Sequence, residues 1–301
     1  MTTLSSAKKP SIVSWLMAAR PKTLSTAIMP VFMGTFLAYS KGGVMDWMVP
    51  VYALFVALFI TIGTNLVNDA LDFKKGTDTS ERLGFTRMTQ SGMLTVQQVL
   101  MAGIICYSVA LLFGIPLILK GGLPIVALLL LSVICGYLYT GGPYPLSYTG
   151  VADFFVVIFY GFVAVGAVYY LQTGSLDAKA LLAGAQAGLL ATVLIAINNL
   201  RDIVSDGKAN KRTLAVRFGV TFGRCEITLC ALLPFVLGGF WITQGHFYAA
   251  LLPWLAFPLS QKLIRNIWTH EPSRVYNSYF GMASLLLVFF ELLLSVGLQL
   301  G

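Results

Sequence analysis

Two polar stretches in this chain carry residues suited to phosphate and metal chemistry. The first holds Asn65, Asn68, Asp69, Asp72, Lys74, Asp78, Arg82 and Arg87; the second holds Asn198, Asp202, Asp206, Lys211, Arg212 and Arg217. Asn65, Asp69 and Asp72 sit at i, i+4, i+7, and Asn198, Asp202 and Asp206 at i, i+4, i+8, so each trio shares one face of a helix. Carboxylates crowded in this way repel one another unless a cation neutralises them. An all-oxygen donor set selects a hard ion, and Mg²⁺ held by carboxylates together with substrate phosphates fits it best. The neighbouring guanidinium and ammonium groups match phosphate oxygens. Carboxylates with a metal on one side and cations on the other make a diphosphate site. Taken singly, each stretch reads as a solvated turn; their repetition argues for a shared site. No Walker-type glycine loop accompanies them, which speaks against an ATPase.

The elements that position these residues are membrane helices. Hydrophobic residues make up 57% of the 301 and charged residues only 11%, where a soluble domain carries about 25% charged. Mean hydropathy is +0.81. So little polar surface cannot cover a globule in water, and an all-α polytopic membrane protein follows. Nine apolar runs of spanning length are expected, near 24–40, 48–70, 97–119, 123–140, 151–171, 180–200, 222–241, 247–264 and 280–300, the bilayer requiring about 20 helical residues. Residues 1–19, with Lys8 and Lys9 before Ile12–Ala19, read as an interfacial segment.

With the N-terminus inside, all but Lys41, Lys120 and Lys179 of the 20 lysines and arginines fall on the inner side. That asymmetry predicts an N-in, C-out topology with both polar stretches on the cytoplasmic face. It also accounts for the net charge of +8 without nucleic acid. The four cysteines, Cys106, Cys135, Cys225 and Cys230, match no metal or disulfide pattern and read as small apolar residues.

Asp69 and Asp202 are 133 positions apart and Arg82 and Arg212 are 130 apart. These offsets suggest one transmembrane domain, 1–301, built from a weak internal repeat, about 20–145 and 151–265. Tyr137, Tyr139, Tyr144 and Tyr148, near the end of the fourth span, either shield a carbocation or form an interfacial aromatic belt. Arg20 and Lys22 either meet an acceptor carboxylate or anchor the first span. Glu291 stands alone in the last span with no role read from its neighbours.

Several stretches resemble the UbiA superfamily of intramembrane aromatic prenyltransferases. They are Arg20-Pro21-Lys22-Thr23-Leu24, Asn65 through Gly92, Tyr139 through Gly150 with Asp153, and Asn198 through Gly219. The Tyr139-Thr-Gly-Gly-Pro-Tyr-Pro and Arg212-Thr-Leu-Ala-Val runs resemble its 1,4-dihydroxy-2-naphthoate polyprenyltransferase (MenA-type) branch. The resemblance implies nine helices around a lipid-facing cavity and Mg²⁺-dependent transfer of a polyprenyl chain from its diphosphate to 1,4-dihydroxy-2-naphthoate. CO₂ and diphosphate are lost, and demethylmenaquinone forms at a bacterial inner membrane. Asp69, Asp72, Asp202 and Asp206 would hold Mg²⁺, with Asp78 replacing an acid the superfamily places where Gly76 stands. Asn65, Asn68 and Asn198 would support them, and Lys74, Arg82, Arg87, Lys211 and Arg212 would grip the diphosphate. The branch has glycine where this chain has Asn210. Another acceptor, such as 4-hydroxybenzoate, or a membrane transporter are the competing readings.

Overall fold

The computed structural model describes residues 11–78 and 82–300. Lys8 and Lys9, expected in the interfacial segment, lie outside the described residues. In chain order the helices are α1 (Ile12–Ala19), a 3₁₀ turn Pro21–Thr23, α2 (Ser25–Tyr39), α3 (Met48–Lys74), α4 (Val96–Gly121) and α5 (Leu123–Leu138). Then come α6 (Leu146–Thr149), α7 (Ala152–Val156), a π-helical stretch Val157–Val163, α8 (Ala164–Thr173), α9 (Ala178–Arg201) and α10 (Ile203–Lys208). The chain continues through α11 (Leu214–Leu237), α12 (Gly239–Thr243) and α13 (Phe247–Leu251). A 3₁₀ turn Leu252–Ala256, α14 (Phe257–Thr269) and α15 (Tyr276–Leu300) complete it.

Six helical segments among the described residues are long and apolar enough to cross a membrane: Met48–Lys74, Val96–Gly121, Ala152–Thr173, Ala178–Arg201, Leu214–Thr243 and Tyr276–Leu300. Two further expected spans form the shorter apolar helices Ser25–Tyr39 and Leu123–Leu138. The run expected at 247–264 is broken, because Pro253 sits in a 3₁₀ turn and Pro258 opens α14. Proline removes a backbone donor and clashes with the preceding turn, so a continuous helix gives way there.

Large apolar side chains such as Ile104, Leu112, Leu119, Phe154, Leu229, Val236, Leu285 and Phe289 point outward. That is the arrangement a lipid solvent requires, with backbone polar groups satisfied inside each helix. α9 is the most buried of the six segments and packs against α11, α15 and the π-helical stretch. Small residues bring these backbones together. A Cβ on Gly161 would lie 2.3 Å from the Gly184 carbonyl oxygen, and one on Gly34 would lie 2.6 Å from that of Val165. Close contact through glycine is how membrane helices associate without a hydrophobic driving force between them.

Candidate active site

Two helix ends build the site, and both are closed by the same turn. α3 stops at Lys74, and Gly76 follows at φ 75°. The Gly76 N–H donates to the Phe73 carbonyl and the Thr77 N–H to that of Asp72, a Schellman closure that needs a left-handed residue. The chain doubles back, so Asp78 faces Asp72. α10 ends likewise, with Asn210 at φ 55° and the Lys211 N–H donating to the Asp206 carbonyl at 2.9 Å. Asparagine tolerates the left-handed region better than most residues, which explains its presence where glycine was expected.

The turns bring the two stretches into contact. Arg82 bridges them, its guanidinium pairing with Asp78 and lying 3.6 Å from Asp202 Oδ2. Arg87 donates to Asn68 Oδ1 at 2.9 Å, its Nη2 is 3.8 Å from Asp72 Oδ2 and its Nε is 3.3 Å from Asp78 Oδ2. Asn68 Nδ2 donates to Asp72 Oδ2 at 2.7 Å and to Thr140 Oγ1 at 2.8 Å. Arg20, held at φ 56°, places its guanidinium on Asn68 Oδ1. Tyr148 donates its hydroxyl to Asp72 Oδ1 at 2.9 Å. Lys211 Nζ is 3.3 Å from Asp206 Oδ2. Arg201 grips Asp202 with two bonds, 3.0 and 2.6 Å.

This environment sets the charges of the acids beyond the helix ends. Burial pushes the Asp78 carboxyl up to about 6, against the opposing pull of Arg82. Burial likewise holds Asp206 above the usual carboxylate range, partly offset by Lys211. Asp202 is buried as well, but the Arg201 hydrogen bonds together with the charges of Arg201, Arg82 and Lys211 outweigh that penalty and keep it below its ordinary value.

Asp69 departs from expectation. Its Oδ2 accepts the Met88 N–H at 3.0 Å and its Oδ1 the Thr89 N–H at 3.1 Å, with the Thr89 hydroxyl on Oδ1 as well. The carboxylate fastens the turn after Arg87, with hydrogen bonds on both of its oxygens. Asn65 is similarly engaged, donating to the Ala19 carbonyl and Thr23 Oγ1, both at 3.0 Å. A shift of 130 positions relates Asn68 and Asp72 to Asn198 and Asp202, and Arg82 to Arg212.

Other expected residues lie elsewhere. Lys74 is exposed at the end of α3. Arg212 is exposed, with Nε toward Asn210 Oδ1. Tyr137 and Tyr144 are exposed. Lys22 lies over the Phe85 ring, 4.7 Å from its centroid, rather than beside the acids. Thr77, Thr89 and Thr140 entered the site without a sequence signal, since each acts through hydrogen bonds to residues distant in the chain, while Arg201 lies inside the second stretch and meets the adjacent Asp202.

Below the acids a cavity of about 270 Å³ opens between α2, α3, α4, α5, the Ala152–Thr173 segment and α9. Arg20, Asn65, Asn68, Tyr139 and Asn198 line it with polar groups, while Val31, Ala53, Leu117, Ile125, Leu129 and Leu171 are among its apolar walls. The lining on α3 runs from Ala53 to Asn68, about 22 Å at the helical rise of 1.5 Å per residue. A polar mouth over a long apolar body suits a diphosphate carrying a hydrocarbon tail.

The donor set fits a hard divalent ion. Asn198 Oδ1 and Asp206 Oδ2 are buried oxygens without a hydrogen-bond partner among the described residues, the second with only the Lys211 ammonium at 3.3 Å. Among the described residues no three carboxylates converge tightly enough to hold an ion by themselves. Mg²⁺ is typically held in this way, by one or two carboxylates with substrate phosphates and water completing its shell.

The model of the UbiA prenyltransferase family matches residues 27–288. The chain belongs to that family. It is 32% identical over 297 residues to a 1,4-dihydroxy-2-naphthoate octaprenyltransferase of Haemophilus influenzae, covering 95% of this chain and 96% of the relative. The enzyme of that name from Escherichia coli is 38% identical over 212 residues, 68% of each chain. Human UbiA prenyltransferase domain-containing protein 1 is 31% identical, covering 84% of this chain and 75% of the human protein. Among solved structures, a UbiA homolog from Archaeoglobus fulgidus bound to DMAPP and Mg²⁺ superposes with a TM-score of 0.58 at 14% identity, covering 94% of this chain and 99% of its own. The fold is thus that of UbiA proteins.

Proposed function

We propose that this family member transfers a polyprenyl chain from polyprenyl diphosphate to 1,4-dihydroxy-2-naphthoate, releasing diphosphate and CO₂ and forming demethylmenaquinol, the reduced form of demethylmenaquinone. The observation that carries this reading is the meeting of both polar stretches, through Arg82, at the polar mouth of an apolar cavity. The named relatives over most of the chain support the naphthoate acceptor.

In this reading Asp72, Asp202 and Asp206 hold Mg²⁺, with Asn68 and Asn198 supporting them and Asp78 orienting Arg82 and Arg87. Bound Mg²⁺ supplies positive charge to the departing diphosphate, an electrostatic contribution that usually dominates such catalysis. Arg82, Arg87 and Lys211 turn from their carboxylate partners to the diphosphate oxygens as it enters. Arg20 stands at the cavity mouth, where a guanidinium meets the acceptor carboxylate. Tyr139, Phe155, Phe159 and Tyr160 line the cavity, excluding water and presenting ring faces to an allylic cation. The electron-rich ring attacks that cation, and the carbon–carboxylate bond breaks to release CO₂. The chain then spans a bacterial inner membrane nine times, N-in and C-out, with the site on the cytoplasmic side.

The test is an assay in membranes containing Mg²⁺, a long-chain prenyl diphosphate and either 1,4-dihydroxy-2-naphthoate or 4-hydroxybenzoate. A prenylated naphthohydroquinone from the first acceptor alone, recovered as the quinone after oxidation by air, is the expected product. Product from hydroxybenzoate alone keeps the chemistry and overturns the acceptor. No product from either acceptor, with the protein folded, overturns the enzyme.

A further inference from the structure

Outside the acid cluster, α15 reaches the loop that carries Arg82 and Arg87. Asn277, in the first turn of α15, accepts Arg201 Nη1 on Oδ1 at 2.8 Å and donates from Nδ2 to the Leu83 carbonyl at 3.0 Å. Arg201 is 2% exposed and holds Asp202 with its other nitrogens. The loop backbone runs directly against this guanidinium: a Cβ on Gly84 would lie 2.5 Å from Arg201 Nη2. One residue on, Phe85 meets Phe280 of α15 edge-on at 5.9 Å, and Phe280 lines the cavity. The loop between Arg82 and Arg87 is therefore fixed from α15, by one amide shared between its main chain and Arg201.

We propose that Asn277 is a positioning residue for prenyl diphosphate, setting through Leu83 and Arg201 where Arg82 and Arg87 stand over the cavity mouth. This rests on the diphosphate reading above. The logic is one of directed hydrogen bonds. An amide offers an acceptor and a donor on one rigid plane, so a single side chain couples the second acidic stretch to the first stretch's loop. Arg82 and Arg87 contact the acids through distances of 3.3–3.8 Å in several pairs, long enough that their aim depends on the backbone carrying them. Asn277 itself is partly exposed, so replacing it leaves the apolar core intact.

Two substitutions separate its bonds. Asn277→Ala removes both; Asn277→Asp keeps the acceptor for Arg201 and removes the donor to Leu83. In steady-state assays both variants are expected to raise the KM for prenyl diphosphate about tenfold, because both lose the bond that holds the Leu83 main chain. The KM for the acceptor and kcat stay within about twofold. A second readout needs no turnover: trypsin cleavage after Arg82 and Arg87 in the folded protein without substrate, followed by mass spectrometry. Cleavage about tenfold faster than wild type in both variants is expected from the same loss. Unchanged cleavage and unchanged KM in Asn277→Ala overturn the proposal. So does a loss confined to kcat, which reports a damaged fold rather than a displaced loop. If the wild-type chain transfers no prenyl group, the diphosphate reading fails; the proteolysis arm then still decides whether Asn277 fixes the loop.

Discussion

Replacing Asp69 by alanine separates a ligand from a fastener. The Asp69 side chain is 1% exposed and accepts the main-chain N–H groups of Met88 and Thr89. Alanine leaves both donors buried without a partner, each costing about 1–3 kcal/mol. The Thr89 hydroxyl loses less, because it also reaches the Asp69 carbonyl oxygen at 2.9 Å. The total is about 2–6 kcal/mol, and the middle of that range is a large share of the 5–15 kcal/mol that holds a typical domain together. Asp72→Ala differs: its carboxylate is contacted by side chains, Asn68, Tyr148 and Arg87, and no main-chain donor is stranded. The assay is unfolding in mild detergent, followed by intrinsic fluorescence, alongside prenyl transfer in membranes. Asp69→Ala is expected to unfold at markedly lower denaturant, with the surviving folded fraction retaining activity. Asp72→Ala is expected to unfold close to wild type and to lose turnover. An Asp69→Ala protein as stable as wild type but inactive would return Asp69 to the ion and refute the fastening argument.

Three further outcomes are expected. Because no three carboxylates converge among the described residues, Mg²⁺ alone leaves thermal stability nearly unchanged, while Mg²⁺ with prenyl diphosphate at 100 times its Kd adds about 2.7 kcal/mol; a full shift with Mg²⁺ alone contradicts this. Arg82→Ala lowers kcat/KM at least about 100-fold by removing a charge stabiliser, whereas Lys74→Ala, at an exposed helix end, changes it less than about twofold; comparable losses in both would discard the assignment. Gly161→Ala drives a methyl to 2.3 Å from the Gly184 carbonyl oxygen and costs about 1–3 kcal/mol of stability, read as a lower melting temperature at constant ligand.

The chemistry of the acidic stretches was legible because spaced aspartates near arginines have few other uses in so apolar a chain. Their register was not. Asn65–Asp69 and Asn68–Asp72 are both i, i+4 pairs on one helix, and nothing local says which faces a partner. The decision comes from the 88–89 turn, which takes Asp69 for itself. The helical class and six of the spans followed from apolar length, but 247–264 did not form one helix because Pro253 and Pro258 break a run that hydropathy alone joins. Lys74 and Arg212 looked equivalent to Arg82 and Lys211 by charge and spacing; the helix ends turn them outward. Asn277 carried no sequence signal, since its partners, Leu83 and Arg201, lie far from it in the chain.

The π-helical stretch Val157–Val163 bears on which insertions and deletions this lineage can accept. A wide turn of this kind holds one residue more than an α-turn. Deleting a single residue there would return the segment to ordinary helix with the chain on either side close to its present orientation, whereas deleting one from the regular helix α9 would turn everything beyond it by about 100° and draw it in by about 1.5 Å. Tyr148, hydrogen-bonded to Asp72, and Asp153, bonded by Asn199 at 3.4 Å, would therefore stay near their partners after a deletion within 157–163. A one-residue change of length is thus expected to be better tolerated in this stretch than in the regular helices, a pattern that single-residue deletions across 157–163 set against deletions within α9 would expose.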